Sequence, residues 1–323
     1  MSLEIPWVEK YRPQSFENIV SQNIAINHLK EFIKKPNMPH MIFAGPAGTG
    51  KTSTALIIVH NFLKKEELST NLLEVNASDT VRIDFVRNVL KNYVNQNITG
   101  DGTLKFVILD EADNIPSQVQ QALRRIIEKA SDNIKFILLC NYINRIIDPI
   151  ISRCAVFRFV NLPKAKIIER LSYISEKEKL KIPKDREEKF YEILFFISGG
   201  DLRKAINTLQ MAVALELLEN LDLGEILQIS GFMDQKTLDI LIFALKSGNF
   251  MKSREVIDSV EALDSRSIIR QIVGALSQVD IEPNKIPALR SFIGEIDYRI
   301  SKGANEQIQV SALLAEIIEN IKK

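Results

Sequence analysis

The sequence predicts an α/β domain built on a parallel sheet, followed by two helical domains. Three observations carry this. From residue 1 to about 162, short apolar runs alternate with helical patterns, as in strand–helix–strand units. Within that region one apolar run passes through a glycine-rich loop into a helical stretch. After Leu162-Pro163 only helical patterns continue. The expected domains are 1–162, 163–230 and 231–323.

The first strand reads as His40-Met41-Ile42-Phe43-Ala44. It runs into Gly45-Pro46-Ala47-Gly48-Thr49-Gly50-Lys51-Thr52, which fits the phosphate-cradling pattern G-x-x-x-x-G-K-[ST] at every fixed position. Ser53-Thr54-Ala55-Leu56-Ile57-Ile58-Val59 then reads as a helix. The glycines let the backbone curl so that its amides point at phosphate oxygens, and a helix N-terminus favours negative charge. Lys51 is expected at the β/γ-phosphates and Thr52 on Mg²⁺.

Further strands are expected at Leu72–Asn76, Phe106–Asp110, Phe136–Cys140 and Val156–Phe159. Helices are expected over Ile83–Asn95 and Ser117–Ala130, the second opening on the capping-box pattern Ser117-Gln118-Val119-Gln120. The strand Lys105-Phe106-Val107-Ile108-Leu109 ends in Asp110-Glu111-Ala112-Asp113. Asp110 is assigned to the metal and Glu111 to polarising the attacking water. Asn141 follows Phe136–Cys140, where its amide can meet the γ-phosphate or the water. Arg153 precedes the last strand, where it is poorly placed for its own phosphate loop and well placed for a neighbour's. Gly200-Asp201-Leu202-Arg203 opens a helix, and Arg203 can fold back over the phosphates.

Helices are expected over Lys164–Lys179, Arg186–Ser198 and Leu202–Leu218, broken at Pro183 and Gly199-Gly200. More follow from Asp234 to Lys323, separated by Gly248, Pro283 and Pro287. Their apolar positions, such as Ile296, Ile300, Ile308, Val310, Leu313 and Ile317, fit a core, with an oligomer interface as the second reading.

Composition bounds the function. A hydrophobic content of 46% excludes a disordered chain, and a net charge of +1 excludes a global nucleic-acid signature. Cys140 and Cys154 lack metal-site spacing and read as buried, reduced thiols. His28, His40 and His60 read as structural. No apolar run approaches membrane length and no signal segment opens the chain, so a soluble, intracellular protein is expected, with no membrane partner.

The order of these elements resembles AAA+ ATPases. Pro6-Trp7-Val8-Glu9-Lys10-Tyr11-Arg12-Pro13, Glu74-Val75-Asn76-Ala77-Ser78-Asp79, Gln120-Gln121-Ala122-Leu123-Arg124-Arg125, Ile151-Ser152-Arg153-Cys154 and Gly200-Asp201-Leu202-Arg203-Lys204 narrow it further. Together they resemble the small-subunit branch of the replication factor C clamp-loader family, archaeal or eukaryotic in style. The likeness covers essentially the whole chain, and Ser152-Arg153-Cys154 is its most discriminating element. It implies an AAA+ nucleotide-binding domain, a helical lid and an all-α collar, assembled with a large subunit and further small subunits. The implied activity is ATP-dependent loading of a ring-shaped sliding clamp onto primer–template DNA, in the cytoplasm, or in the nucleus if the source is eukaryotic. The resemblance implies that Val8 and Arg12 flank the adenine and that Gly45, Pro46, Ala47, Gly48, Thr49, Gly50, Lys51, Thr52 and Ser53 wrap the phosphates. It makes Asn141 and Arg203 the two nucleotide sensors and Arg153 a finger for the adjacent subunit's ATP. DNA contacts are implied at Arg82, Arg87 and Lys91.

Two positions depart from the family. Ala47 stands where a second proline is usual, and Val81-Arg82 where Arg-Gly is usual. Arg82 is thus in a shifted position for phosphate contact. Two other readings stay open: a nucleotide-binding structural subunit with little turnover, and another AAA+ DNA-remodelling ATPase.

Overall fold

The computed structural model describes residues 5–34, 38–77, 84–96, 98, 104–130, 132–260 and 264–321. Its contacts divide the chain into two compact units, residues 1–180 with 198–207, and residues 181–197 with 208–323.

The first unit is built on five parallel strands in the order β2-β3-β4-β1-β5. They are β1 (His40–Ala44), β2 (Leu72–Asn76), β3 (Lys105–Asp110), β4 (Ile134–Cys140) and β5 (Cys154–Arg158). Both faces of the sheet are covered, which is why the central strands read as continuous apolar runs. Ile42, Val107, Leu109 and Leu138 point into one buried layer with Val119 and Leu123. Met41, Phe43, Phe106, Ile108 and Leu139 point into the other with Ile58.

The helices of this unit are α1 (Trp7–Lys10), α2 (Asn23–Phe32), α3 (Lys51–Phe62), α4 (Leu68–Asn71), α5 (Lys91–Asn95), α6 (Ser117–Lys129), α7 (Asp148–Ile151) and α8 (Lys164–Lys177). Among the described residues the helix expected over Ile83–Asn95 runs on from Asp84, with a π-helical stretch, Phe85–Leu90, continuing into α5. Two local expectations are corrected. The capping box does not form: Pro116 is the N-cap of α6, with no side-chain bond. Gln120 instead turns inward, donating to the carbonyls of Ile115 and Arg145, both at 2.9 Å, and accepting the Ile147 amide at 2.9 Å. Three backbone groups, one buried and two partly buried, find their partner there, and that need outweighs the local cap. The strand edges also extend or shift by one or two residues, as with β5, which starts at Cys154.

The second unit is helical: α9 (Glu187–Ser198), most of α10 (Leu202–Ala214), α11 (Leu223–Ile229), α12 (Gln235–Lys246), α13 (Phe250–Asp258), α14 (Ser265–Ala275), α15 (Ile286–Ser301) and α16 (Glu306–Glu319). Helix α10 stops at Ala214, short of the expected Leu218, because Glu216 takes left-handed backbone at φ 58°. Side-chain caps fix several starts. Asp234 accepts the Thr237 amide at 2.8 Å, Asn249 that of Lys252 at 3.0 Å, and Asp264 that of Ser267 at 2.7 Å. Of the C-terminal apolar positions, Ile296, Ile300, Val310, Leu313 and Ile317 are buried in one core with Leu241 and Ile268, while Ile308 is exposed. No helix among the described residues is long and apolar enough to cross a membrane.

Candidate functional site

The site grows from the carboxyl edge of the sheet. β1 and β3 flank β4, so the loops after Ala44, Asp110 and Cys140 open side by side. The Gly45 amide donates to the Cys140 carbonyl at 3.1 Å, which starts the glycine loop flush against β4. Gly48 and Gly50 take left-handed backbone, φ 68° and 95°, and turn the chain into α3. The first-turn amides of a helix have no intrahelical carbonyl. The amides of Gly48, Gly50, Lys51 and Thr52 also meet no acceptor among the described residues. This concave set of open donors fits phosphate.

The side chains around the cradle form two bonded groups. Lys51 is buried, and its Nζ donates to the carbonyls of Gly45 at 2.6 Å and Pro46 at 2.8 Å and to Asn141 Oδ1 at 3.1 Å. Burial lowers the Lys51 pKa; the Asp110 carboxylate opposes that shift, and the Arg203 guanidinium adds to it. Thr52 Oγ1 donates to Asp110 Oδ2 at 3.0 Å, and Arg203 Nη2 donates to Thr52 Oγ1 at 3.2 Å. Thr52 and Asp110 thus pair an alcohol with a carboxylate, oxygen donors of the kind Mg²⁺ prefers. Glu111 is half-buried in left-handed backbone, φ 54°, and its Oε2 accepts from Asn114 at 3.1 Å. The phosphate cradle continues into a cleft with apolar walls, including Val8, Ile19, Val20, Leu162 and Ile206. Arg12 lines the same cleft and pairs with Glu9 at 2.5 Å.

Arg153 lies at the other end of the sheet. Cys154, the residue after it, is in register with His40, the first residue of β1, whereas the phosphate loop follows Ala44. Four strand steps separate the two ends, roughly 13 Å along the strand. Arg153 is partly exposed, pairs with Glu128 at 2.5 Å and donates to the Pro149 carbonyl at 2.7 Å. Lys91 is exposed on α5. Arg82 and the side chain of Arg87 lie outside the described residues. Both cysteines are free thiols, Cys140 buried and Cys154 half-buried, and burial pushes each up to about 12. The ring nitrogen Nδ1 of His40 accepts the Phe136 amide at 3.2 Å, a structural role.

A model of the ATPase family associated with various cellular activities matches residues 41–162, and one of the replication factor C C-terminal domain matches residues 233–316. The replication factor C small subunit of Archaeoglobus fulgidus is 41% identical over 98% of this chain and 98% of its own length. The small subunit of Thermofilum pendens is 41% identical over 100% of this chain and 99% of its own. The chain belongs to the replication factor C small-subunit family. The Holliday junction branch migration motor RuvB of Thermotoga maritima aligns with a TM-score of 0.54 at 17% identity, covering 84% of this chain and 93% of that one. That likeness shows a shared fold alone.

In this member of the replication factor C family, the arrangement consists of two bonded groups, Lys51 with Asn141 and Thr52 with Asp110 and Arg203. Two further residues hold it in place that the sequence reading did not assign. Asp113 Oδ2 accepts the amides of Asn141 at 3.2 Å and Tyr142 at 3.1 Å, fixing the tip of β4. Asp201 Oδ1 accepts the amides of Arg203 at 2.9 Å and Lys204 at 3.3 Å, capping the helix that carries Arg203. Asp113 closes the acidic run quoted above, and Asp201 sits two residues before Arg203. Both were visible as residues, but their partners were not.

Proposed function

We propose that the chain binds and hydrolyses Mg²⁺·ATP as a small subunit of a multi-subunit clamp loader. That assembly opens a ring-shaped sliding clamp and loads it onto primer–template DNA. The observation that carries the ATPase part is the bonded series from Asn141 through Lys51, and from Asp110 through Thr52 to Arg203, around an open amide cradle. Membership of the replication factor C family supports the clamp-loading part.

In this reading the loop from Gly45 to Ser53 wraps the phosphates and Lys51 holds the β/γ oxygens by a point charge. Thr52 and Asp110 would hold Mg²⁺, which neutralises phosphate charge when bound. Glu111 draws the proton from the attacking water. Asn141 orients the water or the γ-phosphate, and Arg203 closes over the phosphates. Arg153, too far along the sheet for its own loop, completes the site of an adjacent subunit. Val8 and Arg12 flank the base. Arg82, Arg87 and Lys91 meet the DNA backbone. Partners are the large subunit and further small subunits, and the protein works where the DNA is, in the cytoplasm or a nucleus. The three domains 1–162, 163–230 and 231–323 serve as motor, lid and collar.

The test is Lys51→Ala in this subunit alone, within the assembled loader. Loss of this site's ATP turnover together with slowed clamp loading supports the reading. Turnover within about twofold of wild type would instead mean that Lys51 is not the phosphate lysine.

A further inference from the structure

The wall of the cleft facing the phosphate loop is made by the segment from Val8 to Pro13 together with Arg170 of α8. That segment begins as α1, a helix of four residues. So short a helix cannot hold itself in place, because one turn does not recover the cost of nucleation. Its position therefore comes from anchors. One is Trp7, which is buried. The Arg12 ion pair stays within the segment, on Glu9, and its guanidinium also favours the charged Glu74 carboxylate of β2.

Further anchors lead to α8 and the residue that caps it. Glu178, the C-cap of α8, accepts Lys10 Nζ at 2.6 Å and the Tyr11 hydroxyl at 2.5 Å. Arg170 Nη2 donates to the Tyr11 carbonyl at 2.7 Å. The Tyr11 ring meets Tyr173 edge-on at 6.4 Å, and the Arg170 guanidinium lies 5.1 Å from the Tyr173 ring centre. An exposed Lys–Glu pair alone contributes little. Here the same carboxylate takes a second, part-buried donor, and charge-assisted bonds of that kind are the stronger ones. The Tyr11 hydroxyl is pushed up to about 12, first by burial and then by the Glu178 bond, so it stays a donor at neutral pH.

We propose that Arg170 and Glu178 are positioning residues for the base end of the nucleotide, bolting the Val8–Arg12 segment against α8 so that the apolar slot is formed before ligand arrives. This rests on the nucleotide-binding reading above. The phosphate end has ties of its own: Lys51 is bonded to the Gly45 and Pro46 carbonyls and to Asn141, and Thr52 to Asp110 and Arg203. The bolt therefore governs affinity for the base and ribose, and leaves recognition of the phosphates alone.

The experiment compares two ligands on the full chain by titration calorimetry with Mg²⁺: ATP, and inorganic tripolyphosphate, which has the phosphates without a base. Glu178→Ala and Arg170→Met are each expected to weaken ATP about tenfold, or ~1.4 kcal/mol, with tripolyphosphate affinity kept. Glu178→Gln, which still accepts the Tyr11 hydroxyl, is expected to recover part of the loss. Equal weakening of both ligands would mean a general structural role and overturn the proposal, as would unchanged ATP affinity in both variants. If Arg170→Met does not fold, the Glu178 pair carries the same comparison. Wild-type protein that binds neither ligand would sink the nucleotide-binding reading itself, a result separable from the others.

Discussion

Replacing Gly48 by alanine tests how the phosphate loop and the start of α10 fit together. Two costs follow from the structure. Gly48 sits at φ 68°, where an L-residue is strained by about 1–2 kcal/mol. An added Cβ would also lie 1.9 Å from Asp201 Oδ1 and 2.8 Å from the Leu202 amide nitrogen. The carboxylate can swing away, but it then releases the amides of Arg203 and Lys204, a cap worth ~1 kcal/mol. The Leu202 nitrogen is backbone, so the first turn of α10 must shift as well, at an overpacking cost of ~1–3 kcal/mol. The total is about 3–6 kcal/mol. Gly50→Ala is the control. It carries the same kind of backbone strain, at φ 95°, but its Cβ would meet only the Ile19 side chain, at 3.7 Å. Chemical denaturation of both variants, followed to the transition of the nucleotide-binding unit, should put Gly48→Ala below Gly50→Ala by ~2–4 kcal/mol. Arg203 should also lose its 3.2 Å bond to Thr52 in Gly48→Ala. Equal losses in the two variants, within ~0.5 kcal/mol, would refute the idea that Asp201 seats α10 against the loop.

Three further outcomes follow. Glu111→Gln should bind ATP as wild type does, yet slow single-turnover hydrolysis by about 10²–10⁴-fold; reduced affinity with intact hydrolysis would remove Glu111 from the water's side. Arg153→Ala should leave nucleotide binding by the isolated subunit unchanged and slow turnover only in assemblies, on the order of 10³-fold where that interface dominates. Activity regained on mixing Arg153→Ala with Lys51→Ala subunits would establish action in trans, and no recovery despite co-assembly would exclude it. Lys91→Ala in the assembled loader should weaken DNA binding similarly for unrelated sequences and flatten the log–log salt dependence by about 0.9; a loss confined to particular sequences would mean that Lys91 reads bases.

The parts of this protein legible in its sequence are those set by local pattern. The run Met41 to Phe43 could be read as a buried strand because both faces of the sheet are covered, and the glycine loop because its shape depends on Gly48 and Gly50. What failed was long-range. Gln120 looked like the end of a capping box and instead serves backbone groups up to 27 residues away. Asp113 reaches 28 residues on to Asn141, and Arg170 reaches back 159 residues to Tyr11. No periodicity carries such partners. The early stop of α10 was hidden for another reason, since it turns on a left-handed glutamate, Glu216, where propensity favours helix.

The Lys51 ammonium has consequences for how affinity is divided. Its three protons already have acceptors, two of them carbonyls of the glycine loop proposed to receive the phosphates. On the proposed reading, these bonds wind the loop during folding, before any ligand is present. Its conformational entropy is charged against the stability of the domain and not against association. A nucleotide meeting such a loop has little ordering left to do there. Variants that loosen Lys51 should accordingly lose affinity through this hidden disorder as well as through the missing charge.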